Sequence, residues 1–245
     1  MVNEETILMK DAEFGYHPNQ QVVIRVPKIS IPKGKLIALV GLNGSGKSTF
    51  LRTLCKFQPL LKGEIIIEQQ SINTIPIAKL ATKISITLTE KIHGFNLTCF
   101  DAVCSGMIRN ASLFGEIGKV NLEKAEKLLE EFNLSSYKNK PLHELSDGIY
   151  QKTMIAKSIL QETPVMLFDE PTAYLDFASK HELFKTLSAL ANHENKCIIL
   201  STHELDFVMR YCDAILIIAN QSINCINVTE AKRDTEFNKL SAGYL

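Results

Sequence analysis

The 245 residues carry 27 basic and 27 acidic side chains, a formal net charge of zero, with no long run of one sign, which argues against an electrostatic nucleic-acid binder. The length suffices for a full buried core, built as one large domain or two small ones. No apolar run reaches bilayer-spanning length and the first ten residues lack a signal-peptide core, so the chain is expected to be soluble and cytoplasmic, with any membrane association made through a partner.

Residues 7–31 read as short strands, ILMKDAEF and QVVIRVPKISI, joined by a turn at Gly15 to Asn19. Pro27 and Pro32 favour edge positions over a central strand, because proline cannot donate to a ladder. Tyr16 is either a ring for stacking a base or a plain turn aromatic. Residues 36–40 (LIALV) form an apolar strand buried on both faces, and a helix is expected over 49–56. Gly63 opens a strand at 64–68, a short helix covers 75–82 and a further strand spans 84–88.

From about residue 91 to 160 the apolar spacing turns helical. Helices are expected over 99–108, 121–132 (Leu122, Ala125, Leu128, Leu129 and Phe132 on one face) and 149–160. Strand patterns return at 165–169 (VMLFD), 197–201 (CIILS) and 214–219 (AILIIA), with a helix over 179–192 and another in the tail after 229. Strands alternating with helices predict a parallel sheet covered on both faces, with ligands at the carboxyl ends of the strands. No Gly/Ser linker marks the helical stretch, so the chain reads as one domain over 1–245. Its core would comprise 1–90 and 161–245, with 91–160 as a helical insertion. The six cysteines show no C-x-x-C pair or metal-ligand spacing, and several lie in apolar runs, as reduced core residues do.

Three stretches carry chemistry. Gly41-Leu42-Asn43-Gly44-Ser45-Gly46-Lys47-Ser48 matches G-x-x-x-x-G-K-[ST], between a strand and a helix that begins at Thr49. Its glycines let the backbone wrap around phosphates, and its N–H groups and the helix start face the anion. Lys47 can reach the β- and γ-phosphates and Ser48 can hold Mg²⁺, so the stretch predicts a bound nucleoside triphosphate. In VMLFDE, Asp169 would hold the metal through water, and Glu170 would polarise an attacking water as general base. In Leu145-Ser146-Asp147-Gly148, Ser146 is an N-cap candidate, and the bare Gly148 backbone could make a second anion site at a helix start.

The order of these motifs, followed by Ala173-Tyr174-Leu175-Asp176 and by His203 after a strand, resembles the ATP-binding-cassette (ABC) ATPase family across about residues 7–219. The resemblance implies an α/β P-loop NTPase core with a mixed, mostly parallel sheet, an N-terminal antiparallel β subdomain and an inserted α-helical subdomain. It also implies a head-to-tail pair of cassettes sandwiching two ATP, each held by Gly41 to Thr49 of one copy and Ser146 to Gly148 of the other. Asp176 would lie in the D-loop across that interface, His203 would contact the γ-phosphate, and Tyr16 would stack on adenine. Two departures stand out. Thr89-Glu90 occupies the place of a usual glutamine, where Glu90 could ligate Mg²⁺, and the signature reads LSDG rather than LSGGQ.

Residues 96–110, with Arg109 one position late, resemble importer ATPases for iron–siderophore, haem and cobalamin complexes. The implied partners are a second ATPase subunit, integral membrane permease subunits docked along residues 89–110, and a substrate-binding protein, with no nucleic acid. The chain would then sit on the inner face of the cell membrane through the permease. A soluble ABC ATPase, as in Fe–S assembly, and a nucleotide-binding regulator with weak hydrolysis are the alternatives.

Overall fold

The structure is a computed structural model that describes residues 5–16, 22–90, 97–110 and 118–243. The expected turn beyond Tyr16, part of the expected docking segment after Glu90 and the side chain of Arg109 lie outside the described residues.

Short runs that are apolar over most of their length, with Ser85, Thr87 and Ser201 as buried hydroxyls among them, must be covered on both sides, and this chain uses them as the parallel strands. They are β3 (Lys35–Gly41), β6 (Ile84–Thr87), β7 (Val165–Phe168), β8 (Cys197–Ser201) and β9 (Ala214–Ala219), and every residue of β7 and β8 is buried. The remaining strands are β1 (Glu5–Gly15), β2 (Val22–Pro32), β4 (Leu60–Ile67), β5 (Gln70–Ser71) and β10 (Ser222–Asn227). All ten form one sheet in the order β5-β4-β1-β2-β10-β9-β3-β8-β7-β6. The antiparallel half joins the parallel half through β10, which pairs with β9 along its length and touches β2 at Ser222–Arg25.

The sheet divides the core in two. Alternate side chains of β3 point to opposite faces: Leu36, Ala38 and Val40 join one cluster, Ile37 and Leu39 the other. On the second face packs α1 (Lys47–Leu54) with β1, β2 and β4. The first face carries α3 (Cys99–Cys104), α4 (Lys119–Glu131), α5 (Asp147–Leu160), α6 (Phe177–His193), α7 (Leu205–Tyr211) and the tail helix α8 (Thr235–Gly243). A four-residue helix, α2 (Ile77–Leu80), precedes β6. None of the helices among the described residues is long and apolar enough to cross a membrane.

Several details depart from the sequence expectation. β4 begins at Leu60, with Gly63 inside it rather than opening it, because Gly63 (φ 83°) and Asp11 (φ 46°) face each other at a bulge where the β1–β4 register shifts. Pro27 lies beside that same interruption, between the Val26–Ala12 and Lys28–Lys10 pairs, and Pro32 ends its strand, so neither removes a needed donor from a central ladder. α3 covers only the first six residues of its predicted span and passes into a 3₁₀ turn over Ser105–Asn110. On α4 the face of Ala125, Leu128, Leu129 and Phe132 is buried, whereas Leu122 is exposed. The strand β10 and the helix α7 have no counterpart in the sequence expectation.

Candidate functional site

The carboxyl ends of β3, β8 and β7, adjacent in the sheet, each deliver part of one site. β3 runs into the loop 41–46, whose fold leaves no room for a Cβ at Gly41 or Gly46. A Cβ on Gly46 would lie 2.6 Å from Val23 Cγ1, and its φ of 107° caps α1 from a left-handed conformation. A Cβ on Gly41 would lie 2.6 Å from Ser45 Oγ and 2.9 Å from the Ile218 carbonyl oxygen. Gly44 (φ 77°) and Asn43 are exposed at the loop tip, and the Ser45 N–H closes the turn on the Leu42 carbonyl at 3.1 Å.

Lys47, the first residue of α1, is buried to 6% exposure and folds back over the loop, donating to the Gly41 carbonyl at 2.8 Å and to that of Leu42 at 3.4 Å. Burial pushes its ammonium below the ordinary lysine value, an effect opposed by the nearby Glu170 and Asp169 carboxylates. Ser48 is exposed beside it, and Thr49 is buried.

β7 ends at Phe168, so Asp169 and Glu170 lie just past the strand. Asp169 is 5% exposed and accepts from Ser201 Oγ through Oδ1 at 2.7 Å. Glu170 takes a left-handed backbone (φ 47°), its N–H donates to the same Ser201 Oγ at 2.8 Å, and its Oε1 lies 2.9 Å from His203 Nε2. Glu170 and His203, 33 positions apart, therefore meet as a carboxylate–imidazole pair. Among the described residues no group of three His, Cys, Asp or Glu side chains could cage a metal. Mg²⁺ needs no such cage, because it dehydrates reluctantly and binds through one carboxylate, water and phosphate oxygens. The buried, hydrogen-bonded Asp169, whose Oδ1 is spent on Ser201, and the exposed Ser48 hydroxyl suit that mode.

Glu90 does not join Asp169. Its carboxylate is held by the Arg52 guanidinium of α1, and it is Thr89 whose hydroxyl reaches the β7 end, donating to the Asp169 carbonyl at 3.1 Å. In this structure Glu90, the expected metal ligand, is engaged by Arg52.

The remaining sequence candidates lie on a second constellation. Ser146 caps α5, accepting from the Ile149 N–H at 3.4 Å, and Gly148 packs against the backbone of Tyr174. Asp176 caps α6 by accepting from the Ser179 N–H at 2.7 Å, a bond that holds its carboxyl below the usual carboxylate range. Tyr174 (67% exposed, φ 64°) and Phe177 (74% exposed) present aromatic rings to solvent around Asp176. Tyr16 is exposed at the end of β1. The structure thus brings Gly41–Thr49, Asp169, Glu170 and His203 to one strand-end edge, and Ser146–Gly148 to the 173–176 turn.

Three residues of the site escaped the sequence reading: Ser201, Thr89 as a contact to Asp169, and Arg52. For Ser201 a signal existed, a hydroxyl ending an otherwise apolar strand immediately before Thr202-His203.

The ABC transporter family model matches residues 25–173. The chain is 32% identical over 206 residues to an uncharacterized ABC transporter ATP-binding protein of Methanocaldococcus jannaschii, covering 82% of this chain and 70% of the relative. It is 30% identical over 199 residues to the iron(3+)-hydroxamate import ATP-binding protein FhuC of Bacillus subtilis, covering 81% and 74%. Among solved structures, the ATP-binding subunit of an ABC transporter superposes with a TM-score of 0.82 at 24% identity, covering 98% of this chain and 99% of that one. That likeness establishes the P-loop NTPase fold of an ATP-binding cassette.

Proposed function

Because the chain belongs to the ABC transporter family of ATP-hydrolysing cassettes, we propose that it is the motor subunit of an importer. Two copies would close head to tail around two ATP and drive a separate membrane permease for iron-chelate, haem or cobalamin uptake. The observation that carries this reading is the Glu170–His203 pair beside Asp169 at the strand ends, one loop away from Lys47.

In this reading the loop N–H groups from Gly41 to Thr49 cradle the phosphates, with Asn43, Gly44, Ser45 and Gly46 shaping the bend and Tyr16 stacking on adenine. Lys47 leaves the Gly41 and Leu42 carbonyls for phosphate oxygens, which are stronger, charge-assisted acceptors. Bound Mg²⁺ supplies charge neutralisation between the phosphates. Ser48 and Asp169 hold it, and Glu90 could join only after release from Arg52. Glu170 takes the proton of the attacking water while His203 orients the Glu170 carboxylate and reaches the γ-phosphate.

Ser146, Gly148 and Asp176 act on the ATP of the opposite copy, and the exposed Tyr174 and Phe177 rings would be covered by that copy. The FhuC relative supports an iron-chelate substrate class. The permease would meet the chain along residues 89–110 on the cytoplasmic face of the membrane, with a substrate-binding protein on the far side.

Affinity capture from native membranes tests the assignment. Recovery of a polytopic membrane protein with the wild-type chain is expected, and its consistent absence overturns the importer reading. Glu170→Gln is expected to abolish hydrolysis and to give an ATP-stabilised dimer in size-exclusion chromatography. An ATP-bound monomer of this variant would refute the paired site.

A further inference from the structure

We infer that Ser201 is a positioning residue for hydrolysis, fixing the Asp169 and Glu170 carboxylates relative to each other through a single hydroxyl. The inference rests on the reading of Glu170 as general base.

Topology brings the residue there. β8 lies between β3 and β7, with Ser201 opposite Leu39 on one side and Leu200 opposite Phe168 on the other. The ladder with β7 stops at Phe168, so Ser201, one step further, comes level with the first residue beyond that strand, Asp169. The four preceding residues of β8 are apolar or thiol-bearing, and Ser201 is fully buried.

A serine hydroxyl has one proton to donate and lone pairs to accept. Here the proton goes to Asp169 Oδ1 at 2.7 Å, and a lone pair takes the Glu170 N–H at 2.8 Å. The bond to the carboxylate is charge-assisted, and it determines which Asp169 oxygen remains for other ligands. The second bond holds the peptide between Asp169 and Glu170, because that peptide cannot rotate without leaving a half-buried N–H without its partner.

This restraint matters because Glu170 sits at φ 47°, a left-handed conformation that strains an L-residue and persists only where the surroundings over-determine it. Three bonds do so. The N–H is held by Ser201, the carbonyl accepts from the Ala173 N–H at 3.1 Å, and the side-chain tip meets His203 at 2.9 Å. A buried serine with no chemical role would satisfy itself on any nearby carbonyl. Thr202, the next hydroxyl and about as deeply buried, stays local in its one bond to the 203–204 turn, accepting from the Glu204 N–H at 3.1 Å. Ser201 instead binds two consecutive residues of the site.

The test compares wild type with Ser201→Ala, Ser201→Thr and Glu170→Gln, measuring steady-state ATP hydrolysis and residue-resolved amide hydrogen exchange. Ser201→Ala is expected to lower kcat about 10–100-fold, the usual cost of losing an outer-shell partner, while KM for ATP moves less than about threefold. The Glu170 amide should exchange at least about tenfold faster in that variant, as a lost hydrogen bond of more than ~1.4 kcal/mol implies. The amides of Phe168 and Leu200 should keep wild-type protection. Ser201→Thr, which keeps the hydroxyl, should restore both kcat and Glu170 protection.

Wild-type exchange at Glu170 in Ser201→Ala, or uniform deprotection of all three amides, overturns the inference, the latter by reducing the role to general stability. Failure of a folded Ser201→Thr to recover activity overturns it as well. If Glu170→Gln hydrolyses ATP at the wild-type rate, the general-base reading falls and takes this inference with it. If Glu170→Gln is inactive while Ser201→Ala keeps its kcat within about twofold, the inference about Ser201 alone falls.

Discussion

Gly148→Ala separates two reasons for a glycine in the LSDG stretch. One is bare backbone for an anion; the other is the close approach of the 173–176 turn to α5. A Cβ built on Gly148 would lie 2.8 Å from the Tyr174 carbonyl oxygen, so reaching ordinary contact near 3.4 Å requires a shift of about 0.6 Å. α5 is anchored by buried Tyr150, Met154 and Ile155, whereas Tyr174 is exposed, so the turn is the part that yields. Overpacking of this kind costs about 1–3 kcal/mol, and alanine in the first turn of the helix returns up to ~1 kcal/mol, leaving a net loss of about 0–3 kcal/mol.

The catalytic effect is expected to be larger than that figure suggests. The turn is tied to Glu170 through the Ala173 N–H to Glu170 carbonyl bond at 3.1 Å and the Leu175 N–H to Thr172 carbonyl bond at 3.2 Å. Misplacing a reacting group by 1 Å costs on the order of 100-fold, so about tenfold loss of kcat is expected here. Phosphate release under saturating ATP and urea unfolding measure the two effects together. A variant with wild-type kcat and an unchanged urea midpoint would refute the close-approach reasoning.

Three further outcomes follow from the same geometry. Glu90→Gln breaks the pair with Arg52, but the Glu90 side chain is 72% exposed, so urea unfolding should report a loss below about 1 kcal/mol that disappears at high salt. Asp176 has a carboxyl depressed below 3.8 by the Ser179 N–H, so its stabilisation is full at neutral pH and declines as pH falls through that depressed value. The gap in melting temperature between wild type and Asp176→Ala should therefore narrow on acidification, and an unchanged gap at low pH would contradict the assignment. Burial pushes Cys55 and Cys197 to about 12 and Cys104 to about 11. Of the six thiols only Cys225 is exposed; partial burial raises its thiol as well, so its reaction with a thiol reagent at pH 8 should be slow but should be the one phase seen while the protein stays folded, and Cys225→Ser should remove it.

Much of this molecule could be read from the chain because local pattern and tertiary role coincide. LIALV is apolar throughout, VMLFD and CIILS are apolar up to their last residue, and a strand with no polar face has to be central. The glycine-lysine loop announces itself because its backbone path leaves no room for a Cβ at Gly41 and Gly46. Where the pattern failed, pairing rather than composition decides the structure. β10 buries only Ile223 among its six residues and exists because Asn220 and Gln221, at φ 49° and 58°, turn the chain back onto β9. The bulge of Asp11 against Gly63 belongs to two strands some fifty residues apart, so neither stretch displays it alone. Glu90 illustrates the same limit within the site, since its fate depends on Arg52, a residue of a different element, and no local rule links the two.

The left-handed Glu170 has an implication for how this protein can change over time. Glycine at position 170 would relieve the backbone strain and remove the proposed general base in one substitution. The sturdiest version of this fold and the working version therefore differ at that residue. A lineage no longer required to hydrolyse ATP would gain by losing the side chain, and thermal stability selected without an activity screen would be drawn to the same inert solution.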